Sequence, residues 1–234
     1  MTDQTPTRSA DPLRHAASLL WPNLPVLLAG SVLVTVAAAL VRLAAPQPGA
    51  VTVLGYGLLV LPTLAALLRG SQVLLADDVF GLRHLGPALL RGIRPTVMIT
   101  AVPMLSLTLA VIAAGQWAEH RQGWLLLSLG LSLAVGLVTA GVGVVALPYV
   151  LATRCPVLEG WVVATYVVTR RPVPVLAVVS AIVLLGWAGG HLSLALMIIF
   201  PGPLALLWAV AAGSATTDSR RRLDDRAAAR APVT

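Results

Sequence analysis

The residues that could carry chemistry are few, and almost all of them lie outside the apolar stretches of the sequence. Five long stretches contain no Asp, Glu, Lys or Arg, and His191 is the one histidine well inside an apolar run. Ionisable side chains within membrane spans usually mark ion paths, proton relays or substrate sites, so their scarcity disfavours an ion-coupled transporter. The sequence also lacks an HExxH motif and paired carboxylates within these runs. We therefore expect no catalytic residues and no enzymatic activity.

Two polar positions outside those runs could hold a ligand. Glu119, His120 and Arg121 are adjacent and could bind a metal ion, although a solvated loop is the simpler interpretation. Cys155 is the single cysteine, so it cannot form an internal disulfide, and it has no CxxC or histidine-rich surroundings. We expect it to pack as a small apolar group, and we expect no metal site and no cofactor.

The composition explains why such residues are scarce. Of the 234 residues, 58 % are hydrophobic and 11 % are charged, whereas soluble domains carry about 25 % charged residues. This excludes a water-soluble enzyme and a disordered chain, and it predicts a polytopic membrane protein. The 16 basic residues are all arginine, and the formal net charge is +7. We interpret that excess as the signal of cytoplasmic loops rather than of nucleic-acid binding.

The charge-free stretches predict an all-α transmembrane helical bundle with about six spans, since a helix needs about 20 apolar residues to cross the bilayer core. Four stretches give one span each, near 24–41, 51–68, 96–117 and 124–151. The run 173–212 is long enough for two spans, and Gly189, Gly190 and His191 predict a tight turn at its middle. Because Pro201 and Pro203 interrupt the last segment, five spans and a re-entrant piece are the alternative.

The distribution of arginine predicts the orientation. With six spans and both termini inside, 14 arginines fall on the cytoplasmic side, and Arg42 and Arg121 fall outside, as the positive-inside rule requires. We therefore expect a cytoplasmic segment 1–17, a transmembrane domain 18–213 and a polar, disordered cytoplasmic tail 214–234. Most of the tryptophans lie near expected span ends, where they would anchor the interfaces; these are Trp21, Trp117, Trp124, Trp161 and Trp208.

Two basic segments, 79–94 and 157–171, are predicted to form amphipathic helices on the cytoplasmic surface. In the first, apolar residues recur at helical spacing on one face and the basic residues lie on the other, and in the second, two arginines close the apolar pattern. These helices could simply fill space between the spans and the lipid head groups, or they could dock a partner or lipid. The side chains that would make such contacts are Arg83, His84, Arg91, Arg94, Arg170 and Arg171.

The two basic segments follow similar patterns, which suggests a parallel repeat of span, surface helix and span. Leu61-Pro62 precedes the first and Leu147-Pro148 the second, while Arg69 and Arg154 take matching positions at the membrane edge.

The fourth span is rich in small residues, which let helices approach closely. Packing within the bundle is the simpler use, and a homo-oligomer face is the alternative. The glycines concerned are Gly130, Gly136, Gly141 and Gly143.

The order of short motifs along residues 17–215 resembles the YesL family of small bacterial membrane proteins. The motifs are Leu19-Leu20-Trp21-Pro22-Asn23-Leu24, Leu61-Pro62-Thr63, Asp77-Asp78-Val79-Phe80, Arg91-Gly92-Ile93-Arg94-Pro95, Leu147-Pro148-Tyr149 and Arg170-Arg171-Pro172. The resemblance implies a bacterial cell membrane location and an accessory or scaffold role in carbohydrate uptake, with ABC transporter subunits as partners. It carries over no catalytic residue.

The alternative function is a transporter or permease subunit for a small solute. It would need a polar path between the spans, and the available groups are small hydroxyls that serve equally in helix packing. They are Thr52, Thr63, Thr100, Ser106, Thr108 and Ser180.

Overall fold

The first four predicted spans are present as long helices in the computed structural model, which describes residues 12–47, 49–77, 81, 85–170, 172–191 and 198–213. Helix α3 has three consecutive parts, the middle one π-helical, and all the described elements are helical. The elements are α1 (Pro12–Leu20), α2 (Leu24–Ala44), α3 (Ala50–Gly55, Tyr56–Val60 and Leu61–Asp77), α4 (Leu85–His120), α5 (Gly123–Thr153), α6 (Val157–Arg170), α7 (Pro172–His191) and α8 (Pro201–Gly213).

Four of the described helices, α2 to α5, are long and apolar enough to cross a membrane. A fifth span results if α6 is counted together with Val175–Leu184 of α7, from which it is bent by 96°. The chain is therefore an all-helical, multi-pass membrane protein, as its composition predicts. The expected number of six spans is approximate.

The last apolar run differs from the predicted hairpin. Helix α7 continues through Gly189, Gly190 and His191, so the turn predicted at these residues is wrong. Residues 192–197 lie outside the described part of the chain. Helix α8 (Pro201–Gly213) is short: at 1.5 Å per residue it extends about 20 Å, less than the roughly 30 Å of a bilayer core.

The first expected surface helix is not a separate element, which corrects the prediction for residues 79–94. Residues 85–94 belong to α4, a single helix of 36 residues that contains Pro95 and Pro103. A proline inside a helix removes one hydrogen bond, but α4 is held on both sides of Pro95. Gly92, Thr96 and Ile99 are buried there, so packing keeps the helix continuous. Residues 78–80 and 82–84 lie outside the described part of the chain.

The second expected surface helix is a separate element, α6. Its inner face is made of Gly160, Ala164 and Val167, which are buried at a helical spacing. Its outer face carries Leu158 and Val162, which are 80 % and 71 % exposed.

Close contacts at glycines bring the long helices together. A Cβ at Gly57 would lie 2.8 Å from Met104 Cγ, so α3 approaches α4 there, and a Cβ at Gly136 would lie 3.1 Å from Leu107 Cδ2, where α5 meets α4. The main hydrophobic core contains residues from each of the six helices α3 to α8. Its larger members include Leu68, Ile99, Val145, Tyr149, Val167, Val178 and Trp208.

Helix α1 covers one end of the bundle. Ala16 is buried in a small cluster with Leu74 of α3 and with Leu206 and Val210 of α8. The expected boundary at residue 17 therefore falls inside a helix. Residues 1–11 of the expected segment 1–17, and the whole expected tail 214–234, lie outside the described residues.

The tryptophans whose side chains are described differ in burial, with Trp117 and Trp161 half-buried. Trp21 and Trp124 are largely exposed, as expected of interfacial anchors, but Trp208 is 4 % exposed. Its indole Nε1 donates to Val144 O of α5 at 2.7 Å. The assignment of Trp208 as an interfacial anchor is therefore wrong, because this side chain is part of the core.

Candidate functional site

An arginine-lined cleft lies where the C-terminal ends of α3 and α5 meet the beginning of α4. Its volume is about 530 Å³, and its charged side chains are Arg69, Arg91 and Arg154. Its apolar walls include Val73, Ala88, Pro95, Val150 and Leu151. Because each arginine comes from a different helix, the cleft forms only when the bundle is assembled.

The core positions Arg69 and the neighbouring part of α4. The four residues before Arg69 on α3, 65–68, are each at most 1 % exposed, so the core fixes the helix up to this arginine. On α4, a Cβ at Gly92 would lie 3.9 Å from Leu151 Cδ2, an ordinary van der Waals distance. The adjacent Arg91 is thus carried on a helix that packs directly against α5.

Arg154 ends α5 in a left-handed backbone conformation, with φ 55° and ψ 27°. This conformation costs residues with a Cβ about 1–2 kcal/mol, and glycine usually occupies such helix ends. The backbone N–H of Arg154 donates to Val150 O at 2.9 Å. A cation at this position also interacts favourably with the negative end of the helix dipole. The result is a positive charge placed at the rim of the cleft.

The three arginines line the cleft, and no carboxylate among the described side chains lines it with them. Arg69 is half-buried, whereas Arg91 and Arg154 are exposed. Glu119 and Glu159 are the carboxylates whose side chains the structure describes, and neither lines the cleft. Like charges held close together repel, and a bound anion lowers that repulsion. The arrangement is therefore suited to binding an anion.

The predicted contact residues are only partly brought together. Arg91 lines the cleft, whereas Arg94 is exposed on the same helix and does not. The Arg170 guanidinium lies over the Tyr166 ring, 5.7 Å from its centroid, at the end of α6. Arg83, His84 and Arg171 lie outside the described residues.

Two of the three cleft arginines, Arg69 and Arg154, were not among the predicted contact residues. The sequence does contain a signal for them, since both follow a Leu-Pro pair at a similar distance near the end of an apolar run. Matching positions in a repeat predict that Arg69 and Arg154 lie at the same membrane edge. The repeat alone does not predict that α3 and α5 bring these two side chains to one cleft.

A second cleft, of about 550 Å³, lies between α3, α5 and α8 and contains Gln72 and Pro148. The Gln72 Nε2 donates to Pro148 O at 2.7 Å. The Oε1 of the same side chain is buried without a hydrogen-bond partner. This oxygen can accept a hydrogen bond from a molecule that enters the cleft.

In the part of the chain that the structure describes, no group of three or more His, Cys, Asp or Glu side chains could hold a metal ion. The Glu119 Oε2 and the His120 Nδ1 are 3.9 Å apart, and both side chains are exposed at the end of α4. Cys155 lines the arginine cleft and is partly buried against the main core.

Comparison with protein families, with curated proteins and with solved structures gives no match.

Proposed function

We propose that this chain is an accessory or scaffold component of a membrane system and that it docks a partner at its arginine-rich end. The observation that carries the proposal is the outer face of α6. Leu158 and Val162 are 80 % and 71 % exposed on a helix whose other face is buried in the bundle. An apolar face next to a cluster of cations is typical of a surface that contacts another protein or lipid.

The arginines support an orientation for this surface. Arg69, Arg91 and Arg154 converge at one end of the bundle. At the opposite end, the Arg42 Nε donates to the Tyr56 hydroxyl at 3.4 Å, and the Arg121 guanidinium lies 4.9 Å from the centre of the Trp117 ring. By the positive-inside rule, the end with the cleft faces the cytoplasm. In this proposal the protein spans the bacterial plasma membrane with both termini inside.

The hydroxyl groups within the spans favour a scaffold over a transporter. A polar path needs side chains that can donate to a passing solute, but Thr63, Thr100 and Thr108 donate their hydroxyl protons within their own helices. Thr63 donates to Val60 O at 2.7 Å, Thr100 to Thr96 O at 2.8 Å and Thr108 to Met104 O at 2.7 Å. Each bond engages the hydroxyl proton within its own helix, so these three protons are not available to a solute.

The kind of partner follows from the resemblance to YesL proteins. Members of that family are linked to carbohydrate import, so the proposed partners are subunits of an ABC-type carbohydrate importer. The exposed side chains of α6, together with Arg91, Arg94 and Arg170, would contact them.

Purification from the native membrane in mild detergent tests this function. Importer subunits recovered in stoichiometric amount support it. Saturable sugar flux by the purified chain alone in liposomes would contradict it, because an accessory protein has no solute path of its own.

The alternative, a transporter or permease subunit for a small solute, has one observation in its favour. The unpaired Oε1 of Gln72 is buried beside Pro148, next to the second cleft. The liposome experiment distinguishes the two functions, and Gln72→Leu would abolish flux if this side chain contacts the solute.

The fourth span also leaves room for the proposed homo-oligomer. Gly136 and Gly143 face α4, where a Cβ would lie 3.1 Å from Leu107 Cδ2 and 3.8 Å from Ile99 Cγ2. Gly130 and Gly141 have open space at the Cβ position, so a second copy of the chain could pack there.

A further inference from the structure

The cleft holds three cations whose charge is not balanced by a described carboxylate. Arg69, Arg91 and Arg154 all line it, and neither Glu119 nor Glu159 does. Arg154 keeps its side chain there in a backbone conformation that glycine would adopt without strain. A cleft that accumulates like charge at the end of membrane-crossing helices is a candidate for binding an anionic ligand.

The chemistry of arginine narrows the ligand class. A guanidinium group presents several N–H donors in a planar fork, which matches the oxygen atoms of a phosphate group. Three such forks from three helices can bind the oxygens of one phosphate from different directions.

The walls of the cleft indicate that the phosphate is attached to a larger molecule. The volume of about 530 Å³ is within the range of small-molecule sites and exceeds the needs of a single ion. Val150 and Leu151 lie beside Arg154 on the wall. The cleft opens at the ends of membrane-crossing helices, where phosphate groups of lipids are abundant and basic pockets bind anionic head groups.

We infer that Arg69, Arg91 and Arg154 form a binding site for a phosphate group. The inference is independent of the proposed partner, since the site would bind phosphate whether or not α6 docks another protein. Two sources share this chemistry: the head group of an anionic phospholipid and a free phosphate ion.

Arg154→Gly is the variant best suited to test the site. Glycine adopts φ 55° readily, so the end of α5 is expected to keep its conformation while the charge is lost. Arg121→Gly is the matched control. Arg121 also has a left-handed backbone, with φ 54°, and it lies at the opposite end of the bundle over Trp117. Arg91→Gln removes a second cleft charge without changing a backbone constraint.

The experiment measures dissociation constants by titration calorimetry of the full-length protein in a neutral detergent. The probes are short-chain phosphatidylglycerol, short-chain phosphatidylcholine and inorganic phosphate, and thermal unfolding of each variant monitors the fold. We expect phosphatidylglycerol to bind more tightly than phosphatidylcholine, and Arg154→Gly and Arg91→Gln each to weaken that binding about tenfold or more. Arg121→Gly should bind like the original protein.

Each outcome decides the inference. Binding of phosphatidylglycerol with no binding of inorganic phosphate supports the site with a lipid head group as its ligand. Tight binding of inorganic phosphate that Arg154→Gly weakens supports it with a free ion as the ligand. Three results would overturn it. They are unchanged affinity of folded Arg154→Gly for the bound probe, an equal loss of affinity in Arg121→Gly, and no binding of phosphatidylglycerol or inorganic phosphate to the original protein.

Discussion

The hydroxyl oxygen of Ser31 lies 2.7 Å from the backbone nitrogen of Gly202 and accepts its hydrogen bond. This contact joins the middle of α2 to the first turn of α8, although 171 residues separate the two positions. Ser31 also donates to Leu27 O at 3.0 Å. A single buried hydroxyl therefore satisfies one group on each of two helices.

The start of α8 needs this contact because it is buried. The first N–H groups of a helix have no partner within the helix, and water is not present in the bilayer core to replace one. Pro201 and Pro203 have no N–H to satisfy, and Leu204 N donates to Phe200 O at 2.9 Å. The remaining donor in this turn, Gly202 N–H, is the one that Ser31 accepts. A Cβ at Gly202 would lie only 2.9 Å from Leu27 O, so the approach also requires glycine.

Ser31→Ala should destabilise the protein by about 1–3 kcal/mol, since it leaves the Gly202 N–H buried and unpaired. The matched control is Ser71→Ala. Ser71 is equally buried and also donates to a carbonyl four residues earlier at 3.0 Å, but among the described residues no N–H of another helix donates to its hydroxyl. Denaturant unfolding of the purified variants in detergent measures both changes. A loss of stability in Ser71→Ala as large as that in Ser31→Ala would contradict the capping role.

A second contact of α8 compensates for a proline in α5. Pro148 has no N–H, so Val144 O, four residues earlier, lacks its usual partner in the helix. The Trp208 Nε1 donates to this carbonyl at 2.7 Å, and the Gln72 Nε2 donates to Pro148 O. Two other helices thus provide hydrogen bonds at the place where α5 contains a proline.

Trp208→Phe should cost about 1–3 kcal/mol, because Val144 O then loses its donor. In a Pro148→Ala background the alanine N–H can bond Val144 O, so the same change should cost less. A double-mutant cycle of unfolding free energies measures this coupling. Trp124→Phe is the control, since its indole bonds Gln122 on an exposed surface. An equal cost of Trp208→Phe in both backgrounds would refute the compensation.

Opposite ends of α4 should react with membrane-impermeant reagents from opposite sides. Arg94 and Arg121 are both exposed, and the 27 residue steps from one to the other correspond to about 40 Å of helix. In a Cys155→Ala background, Arg121→Cys should be labelled by an impermeant maleimide on intact cells. Arg94→Cys should be labelled only after permeabilisation. The reverse pattern would invert the proposed orientation.

Local sequence patterns were sufficient to predict the first four spans. The predicted first and fourth spans, near 24–41 and 124–151, correspond to Leu24–Ala44 and Gly123–Thr153. Both follow directly from the length of an apolar run. The amphipathic pattern of α6 was likewise readable, because Gly160, Ala164 and Val167 share one face.

The errors arise where tertiary packing overrides a local signal. The surface helix 79–94 and the span near 96–117 are predicted as separate elements, but buried neighbours keep α4 continuous across Pro95. Gly189 and Gly190 suggested a turn, yet α7 continues through them. Trp208 is near the end of an apolar run, which predicts an interfacial anchor. Its indole is instead buried and donates to Val144 O, a carbonyl that Pro148 leaves without its usual helix partner.

The candidate site was predictable only in part for the same reason. The pattern of basic residues identified Arg91, and the repeat placed Arg69 and Arg154 at one membrane edge. Their convergence depends on which helices pack together. It follows from contacts such as that of Gly92 with Leu151, which involve residues far apart in the sequence.

The most direct test of the proposed scaffold role is the recovery of importer subunits with two matched variants. Leu158 on α6 and Leu127 on α5 are 80 % and 77 % exposed, so Leu158→Ser and Leu127→Ser remove similar apolar area without opening the core. With quantitative mass spectrometry after purification in mild detergent, Leu158→Ser should reduce stoichiometric importer subunits about tenfold. Leu127→Ser should leave their recovery unchanged. Undiminished recovery with Leu158→Ser, or an equal loss with Leu127→Ser, would contradict docking at α6.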